Sequence, residues 1–266
     1  MKQRVITGFI AGTGFILCCI LGEPWYNGLM ILLSLVGYYE FIRMNGLKPW
    51  NITPLLGFLG VLYFVFPWSK FPLSDINPSM FIWLMLFLFL TATVITKNKI
   101  DIDKAANMLL GVLYIGIGFQ YMIETRSAPD GNGLFWSLLL FAAIWSSDAG
   151  AYFTGKLFGK TKLWPDISPN KTVEGAIGGI IVAAAVSALF VLFAPELLSI
   201  GRAIWIGLAA SVIGQIGDLI QSAYKRVRGV KDTGSILPGH GGILDRVDSW
   251  LIVFPFIHLL SLLPYQ

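Results

Sequence analysis

The residues with the most chemical potential lie between two apolar runs, in "SAYKRVRGVKDTGSILPGHGGILDRVDS" (residues 222–249). Five basic residues (Lys225, Arg226, Arg228, Lys231, Arg246) and three aspartates (Asp232, Asp245, Asp248) crowd into this short stretch. Asp245 and Asp248 are one turn apart if their segment is helical, and two hard carboxylates so placed can bind Mg²⁺ or bridge two cations. Upstream, Asp218, Ser222 and Lys225 stand at i, i+4 and i+7, which puts an acceptor, a hydroxyl and a cation on one helical face, with Gln215 a turn earlier. Asp218 could complete a cation site with Asp245 and Asp248. The basic residues can neutralise phosphate charge, and the glycines of "LPGHGGILDR" let backbone approach a ligand closely. Carboxylates, cations and Gly-rich backbone together suit phosphoryl or nucleotidyl transfer, where catalysis rests on positioning and charge stabilisation. His240 lies inside this loop, where it could brace the turn, touch a phosphate or act as an acid, with bracing or phosphate contact ranked above proton transfer. No Ser-His-Asp or Cys-His arrangement is visible, and His258, alone in a late apolar run, reads as structural.

A second polar stretch, "GKLFGKTKLWPDISPNKTVEG", carries Lys156, Lys160, Lys162 and Lys171. Its "SPNKT" reads as a turn that presents backbone N–H groups, a lysine and hydroxyls at a helix start, a setting that suits phosphate oxygens. It is not a P-loop, and a basic loop of this kind also serves as an ordinary topology signal. The following "GAIGG" suits close helix packing. Asp148 lies in an apolar run just before this stretch. Glu40 lies in another, and read alone it fits helix-to-helix glue.

These groups must be positioned by a membrane protein. Of 266 residues, 56% are hydrophobic and 13% charged, with a mean hydropathy of +0.72; a soluble domain of this length carries roughly 25% charged residues. Nine apolar segments recur, at about 5–22, 25–42, 53–68, 80–96, 105–123, 134–154, 174–194, 203–221 and 249–264. The expected fold is therefore all-α: a polytopic integral membrane protein with about nine transmembrane helices. About five spans fall in 1–130. The catalytic region is expected in 131–266, with cytoplasmic loops at 155–173 and 222–249. Nine spans place 16 of the 19 basic residues on one side, leaving Lys70, Arg126 and Arg202 on the other. Positive charge stays inside, so the N-terminus is expected in the cytoplasm and the C-terminus outside. The basic, apolar start has no small-x-small cleavage pattern and reads as an uncleaved first span. Cys18 and Cys19 are adjacent, which argues against a disulfide or zinc site.

The 222–249 stretch resembles the signature of the phosphatidate cytidylyltransferases, or CDP-diacylglycerol synthases: S-x-x-K-R, then K-D, then P-x-H-G-G-x-x-D-R-x-D. Ser222, Lys225, Arg226, Lys231, Asp232, Pro238, His240, Gly241, Gly242, Asp245, Arg246 and Asp248 occupy every fixed position. The run from Asp148 through "ISPNKTVEG" resembles a second block of that family. The resemblance implies that CTP and phosphatidic acid give CDP-diacylglycerol and pyrophosphate. It places a metal, Mg²⁺, at Asp218, Asp245 and Asp248, with room for a second cation such as K⁺. Asp218, Lys225, Asp245 and Asp248 are the expected catalytic residues. Ser222, Arg226, Lys171, Lys231, His240, Arg246 and Asp148 are expected around the substrates. The expected partners are CTP, phosphatidic acid and the lipid bilayer, with no nucleic acid; a homodimer is compatible with this set. The expected location is a bacterial inner (plasma) membrane with the active site facing the cytoplasm. A CTP-dependent lipid kinase is the nearest alternative, and a transporter is disfavoured because no paired interrupted helices recur in two halves.

Overall fold

The computed structural model describes residues 2–68, 77–236, 239 and 241–265. His240, Pro238 and Lys70 fall outside the described residues. Nine α-helices occur among those described: α1 (Lys2–Leu21), α2 (Glu23–Met44), α3 (Ile52–Val65), α4 (Pro78–Ile95), α5 (Ile102–Arg126), α6 (Gly133–Phe158), α7 (Val173–Leu189), α8 (Ile200–Val227) and α9 (Leu244–Leu259). Two short strands, β1 (Lys162–Trp164) and β2 (Ser168–Thr172), pair antiparallel between α6 and α7. Five helices, α4 to α8, are long and apolar enough to cross a membrane, α7 together with the turn that follows it. Their outer faces expose large apolar residues such as Trp83, Ile181, Trp205 and Ile216, as expected of surfaces that meet hydrocarbon rather than water.

Three sequence expectations need correction. "SPNKT" is a strand, not a turn, because Lys162 and Thr172 pair across a hairpin. The 155–173 loop is correspondingly shorter, since α6 continues to Phe158. The 222–249 loop shrinks to 228–243: α8 carries its regular hydrogen bonding through Val227, and α9 already starts at Leu244. Amphipathic segments at a membrane face extend helices past their apolar windows, because lysine and arginine stems can cover apolar surface while their charges reach water.

The chain forms two compact units. The first comprises residues 1–123 and 232–245. Its helices meet through glycines that receive bulky neighbours. Gly57 of α3 lies under the Tyr38 ring, Gly60 against Val112, Gly111 of α5 under Phe41, and Gly116 under Phe64. A Cβ at any of these would overlap the facing side chain. Tyr38 and Phe41 are almost fully buried, and Tyr63 stacks on Phe81 to join α3 to α4.

The second unit comprises residues 124–231 and 246–266. In it α7 lies in close contact with α6 and α8. Gly150 of α6 faces Val182, Gly178 faces Thr154, and Gly179 faces the Ser147 carbonyl and Ala151. The glycines of "GAIGG" thus permit the close packing expected of them. Gly207 of α8 packs against the Ala183 backbone, and Phe141 meets Trp250 and Phe254 to bring α9 onto α6. His258 is structural here: its Nε2 lies 2.8 Å from Thr125 Oγ1 in a hydrogen bond.

Candidate active site

Helix α8 builds one wall of the site in the second unit. Its i, i+4 spacing operates as read: Ser222 Oγ donates to Asp218 Oδ1 at 3.3 Å. The other Asp218 oxygen, Oδ2, pairs with Lys171 Nζ of β2 at 2.5 Å, with both side chains about a third exposed. Helix α9 supplies Asp248. It can lie close to α8 at this level because Gly217, next to Asp218, has no side chain: a Cβ there would meet the Asp248 carbonyl oxygen at 3.0 Å and Ser249 Cα at 3.2 Å. Asp218, Asp148 and Lys225 all act electrostatically on Asp248, while Asp218 and Lys171 both act on Asp148. Three carboxylates from α6, α8 and α9 therefore converge with two ammonium groups.

A polar seam lies beside these charges, and of its members the sequence marks only Gln215 as part of the site. Ser147 Oγ of α6 and Ser211 Oγ of α8 share a hydrogen bond at 2.6 Å. Gln215 Nε2 donates to Ser211 Oγ at 3.0 Å and to the Ala176 carbonyl of α7 at 3.2 Å. Serines 147 and 211 are buried, so these bonds satisfy groups that would otherwise be costly in an apolar interior. Nothing in the sequence distinguishes them from other serines in apolar runs, because their partners are 64 residues apart.

The hairpin brings Lys171 to Asp218 by a local set of bonds. The Glu174 carboxylate accepts from the Lys160 and Thr161 backbone N–H groups at about 3.1 Å. Thr161 O accepts from Val173 N at 2.9 Å. Thr172 Oγ1 caps α7 by accepting from Gly175 N at 3.1 Å. That donor is engaged in the cap, so the Gly175 N–H is not open to a phosphate oxygen. Arg226 is also engaged: its Nε donates to the Ile167 carbonyl at 3.2 Å and tethers the hairpin to α8. Lys231 and Arg246 are exposed.

Asp245 belongs to the first unit. Its Oδ2 accepts from Thr233 N at 2.8 Å, Thr233 Oγ1 at 3.0 Å and Gly242 N at 3.0 Å, the bonds of a tightly organised turn. Glu40 completes that turn, accepting from Ile243 N and Leu244 N and sharing the single Thr233 hydroxyl proton with Asp245. Glu40 is thus more than helix glue: it holds the loop that carries the signature. Among the described residues, no three His, Cys, Asp or Glu side chains are gathered closely enough to form a complete metal site. Carboxylate oxygens, which Asp148, Asp218 and Asp248 supply in the second unit, are the donor type that a hard cation takes, and Lys171 holds one Asp218 oxygen here.

Residues 2–263, nearly the whole chain, match the profile of the Cytidylyltransferase family. The chain belongs to this family. It is 43% identical over 262 residues to the phosphatidate cytidylyltransferase of Bacillus subtilis (strain 168), covering 98% of this chain and 97% of the relative. It is 40% identical over 261 residues to the enzyme of the same name from Staphylococcus saprophyticus, with 98% of each chain covered. The Staphylococcus aureus (strain COL) phosphatidate cytidylyltransferase is 38% identical over 260 residues, again with 98% coverage of both. Membership extends over the first five helices as well, beyond the residues that carry the signature.

Proposed function

We propose that the protein transfers the cytidylyl group of CTP to phosphatidate, giving CDP-diacylglycerol and pyrophosphate. The observation that carries this reading is the full-length relationship to proteins named for that activity. The convergence of Asp148, Asp218, Asp248, Lys171 and Lys225 supports it chemically. A phosphate monoester is already a nucleophile, so no covalent enzyme intermediate is required. One of its oxygens attacks the α-phosphorus of CTP, the bond from that phosphorus to the bridging α–β oxygen breaks, and pyrophosphate leaves with that electron pair. Lys171 and Lys225 bind phosphate oxygens, and Ser222 orients Asp218 through its hydroxyl. Asp218 and Asp248 are the carboxylates assigned to Mg²⁺, which when bound supplies charge neutralisation to the triphosphate. The sequence resemblance adds Asp245 to that assignment and allows a second cation such as K⁺.

The finer topology belongs to the same proposal: nine spans, cytoplasmic N-terminus, external C-terminus, and the charged loops on the cytoplasmic side of a bacterial inner membrane. Phosphatidate then enters laterally from the inner leaflet and CTP from the cytosol. Incubation of the purified protein with α-³²P-labelled CTP, with phosphatidate omitted and then restored, tests the reaction. Label moving into lipid only when phosphatidate is present is the expected result. Label remaining in CDP, with γ-phosphate transferred to a lipid alcohol, would replace the reading with a lipid kinase.

A further inference from the structure

The Glu40 carboxylate is 2% exposed and lies 193 to 204 residues from its hydrogen-bond donors in the chain. A carboxylate so buried is costly unless its oxygens are fully engaged, and here both are. Oε1 accepts from Ile243 N at 2.9 Å; Oε2 accepts from Leu244 N at 3.0 Å and from Thr233 Oγ1 at 3.1 Å. Ile243 and Leu244 stand at the start of α9, where backbone N–H groups lack intrahelical partners. Ile243 has no side-chain acceptor with which to cap the helix, so a residue of α2 does so instead. A negative charge at a helix N-terminus is also favoured by the helix dipole.

The loop backbone closes tightly around this carboxylate. A Cβ on Gly234 would lie 2.5 Å from Glu40 Oε1, and one on Gly242 would lie 2.4 Å from Oε2 and 2.2 Å from Thr233 Oγ1. Gly241, at φ +82°, adopts a left-handed conformation that brings the chain back to Asp245. The Thr233 hydroxyl lies 3.1 Å from Glu40 Oε2 and 3.0 Å from Asp245 Oδ2. It has one proton to donate and so serves one carboxylate at a time, which couples the two acids through a single side chain.

We propose that Glu40 is a positioning residue for the reaction: it clamps the loop through Thr233, Ile243 and Leu244, and so sets the orientation of the Asp245 carboxylate. This rests on the proposed cytidylyl transfer only in giving Asp245 a role there; the clamp itself does not. Glutamine at position 40 keeps the shape but replaces one acceptor oxygen with an NH₂ that cannot accept from the loop amides.

Hydrogen exchange of the full-length protein in detergent reads the clamp directly. Glu40→Gln should lose about tenfold or more protection in peptides covering 241–245, as expected when hydrogen bonds to a charged acceptor are removed. In cytidylyl transfer it should lose about tenfold or more in kcat and require more Mg²⁺ for half-maximal rate, effects that a simple loss of folded protein would not combine. Thr233→Val should reproduce the shift in Mg²⁺ requirement and Thr233→Ser should abolish it, which keeps the proposal decidable if Glu40→Gln fails to fold. Unchanged exchange in Glu40→Gln would overturn the clamp. Lost protection with kcat and Mg²⁺ requirement unchanged would overturn the positioning role. An inactive wild-type protein would instead remove the proposed reaction, and the exchange arm would still decide whether Glu40 clamps the loop.

Discussion

Replacing Gly178 with alanine should damage the active site without touching any charged residue. A Cβ there would stand 2.1 Å from Thr154 Oγ1, 2.4 Å from its Cγ2 and 2.5 Å from its Cβ. Ordinary carbon contacts lie at about 3.5–4.0 Å, so α6 and α7 must separate by roughly 1 Å or more. Thr154 cannot swing aside freely, because its hydroxyl donates to the Gly150 carbonyl at 2.7 Å. Overpacking of this kind costs about 1–3 kcal/mol, against about 0.5–1 kcal/mol gained by alanine over glycine within a helix. The net destabilisation should be about 1–2 kcal/mol. The functional effect should be larger, since α6 carries Asp148 and Lys171 lies just before α7. A displacement of about 1 Å among positioned groups can reduce the rate by about 10². Thermal inactivation in detergent and label transfer from CTP would measure the two effects. Gly201→Ala is the matched control: it is also helical, has no atom within 4 Å of the added Cβ, and should leave activity unchanged. Adding Thr154→Ala to Gly178→Ala removes the two closest contacts and should restore part of the loss. Wild-type stability and activity in Gly178→Ala, or no recovery in the double variant, would refute the close-packing argument.

Asp218→Asn and Asp248→Asn should each lose about 10²-fold or more in label transfer while remaining inserted and folded, since each removes a charge from the convergent cluster. Asp245→Asn should raise the Mg²⁺ requirement if Asp245 is a ligand; loss of 241–245 exchange protection with the Mg²⁺ requirement unchanged would confine it to turn-holding. Thr172→Ala removes the cap of α7 and should cost about 1 kcal/mol in stability, with Thr172→Ser near wild type; thermal melting reads both. Reporter domains fused after Arg228 and at the C-terminus should report cytoplasmic and external locations respectively, and a cytoplasmic C-terminus would break the nine-span proposal.

Helix existence and approximate limits were legible because a membrane imposes the same rule on each segment, an apolar run bounded by charge, and this rule is local. The spacing of Asp218 and Ser222 was legible for the same reason: the period of one helix determines which side chains meet. Helix ends near the charged loops were less legible, since α8 and α9 extend past their apolar windows into residues that composition assigns to a loop. The hairpin of "SPNKT" was also hidden, because its pairing with Lys162 requires a partner strand rather than a periodic pattern.

What folding added was contact between segments far apart in the chain. Gly217 reads as an ordinary helical glycine until Asp248 is seen to pack against it. Ser147 and Ser211 become a pair only when α6 and α8 lie together. Glu40 shows the difference most clearly. In the sequence it is one acid in an apolar run, and nothing local points from it to the loop near the other end of the chain. In the fold it receives the amides of Ile243 and Leu244 from the far end of the chain. The kinds of chemistry available to this protein follow from its residues and local periods; which groups hold one another in place depends on hydrogen bonds and close contacts that no local period encodes.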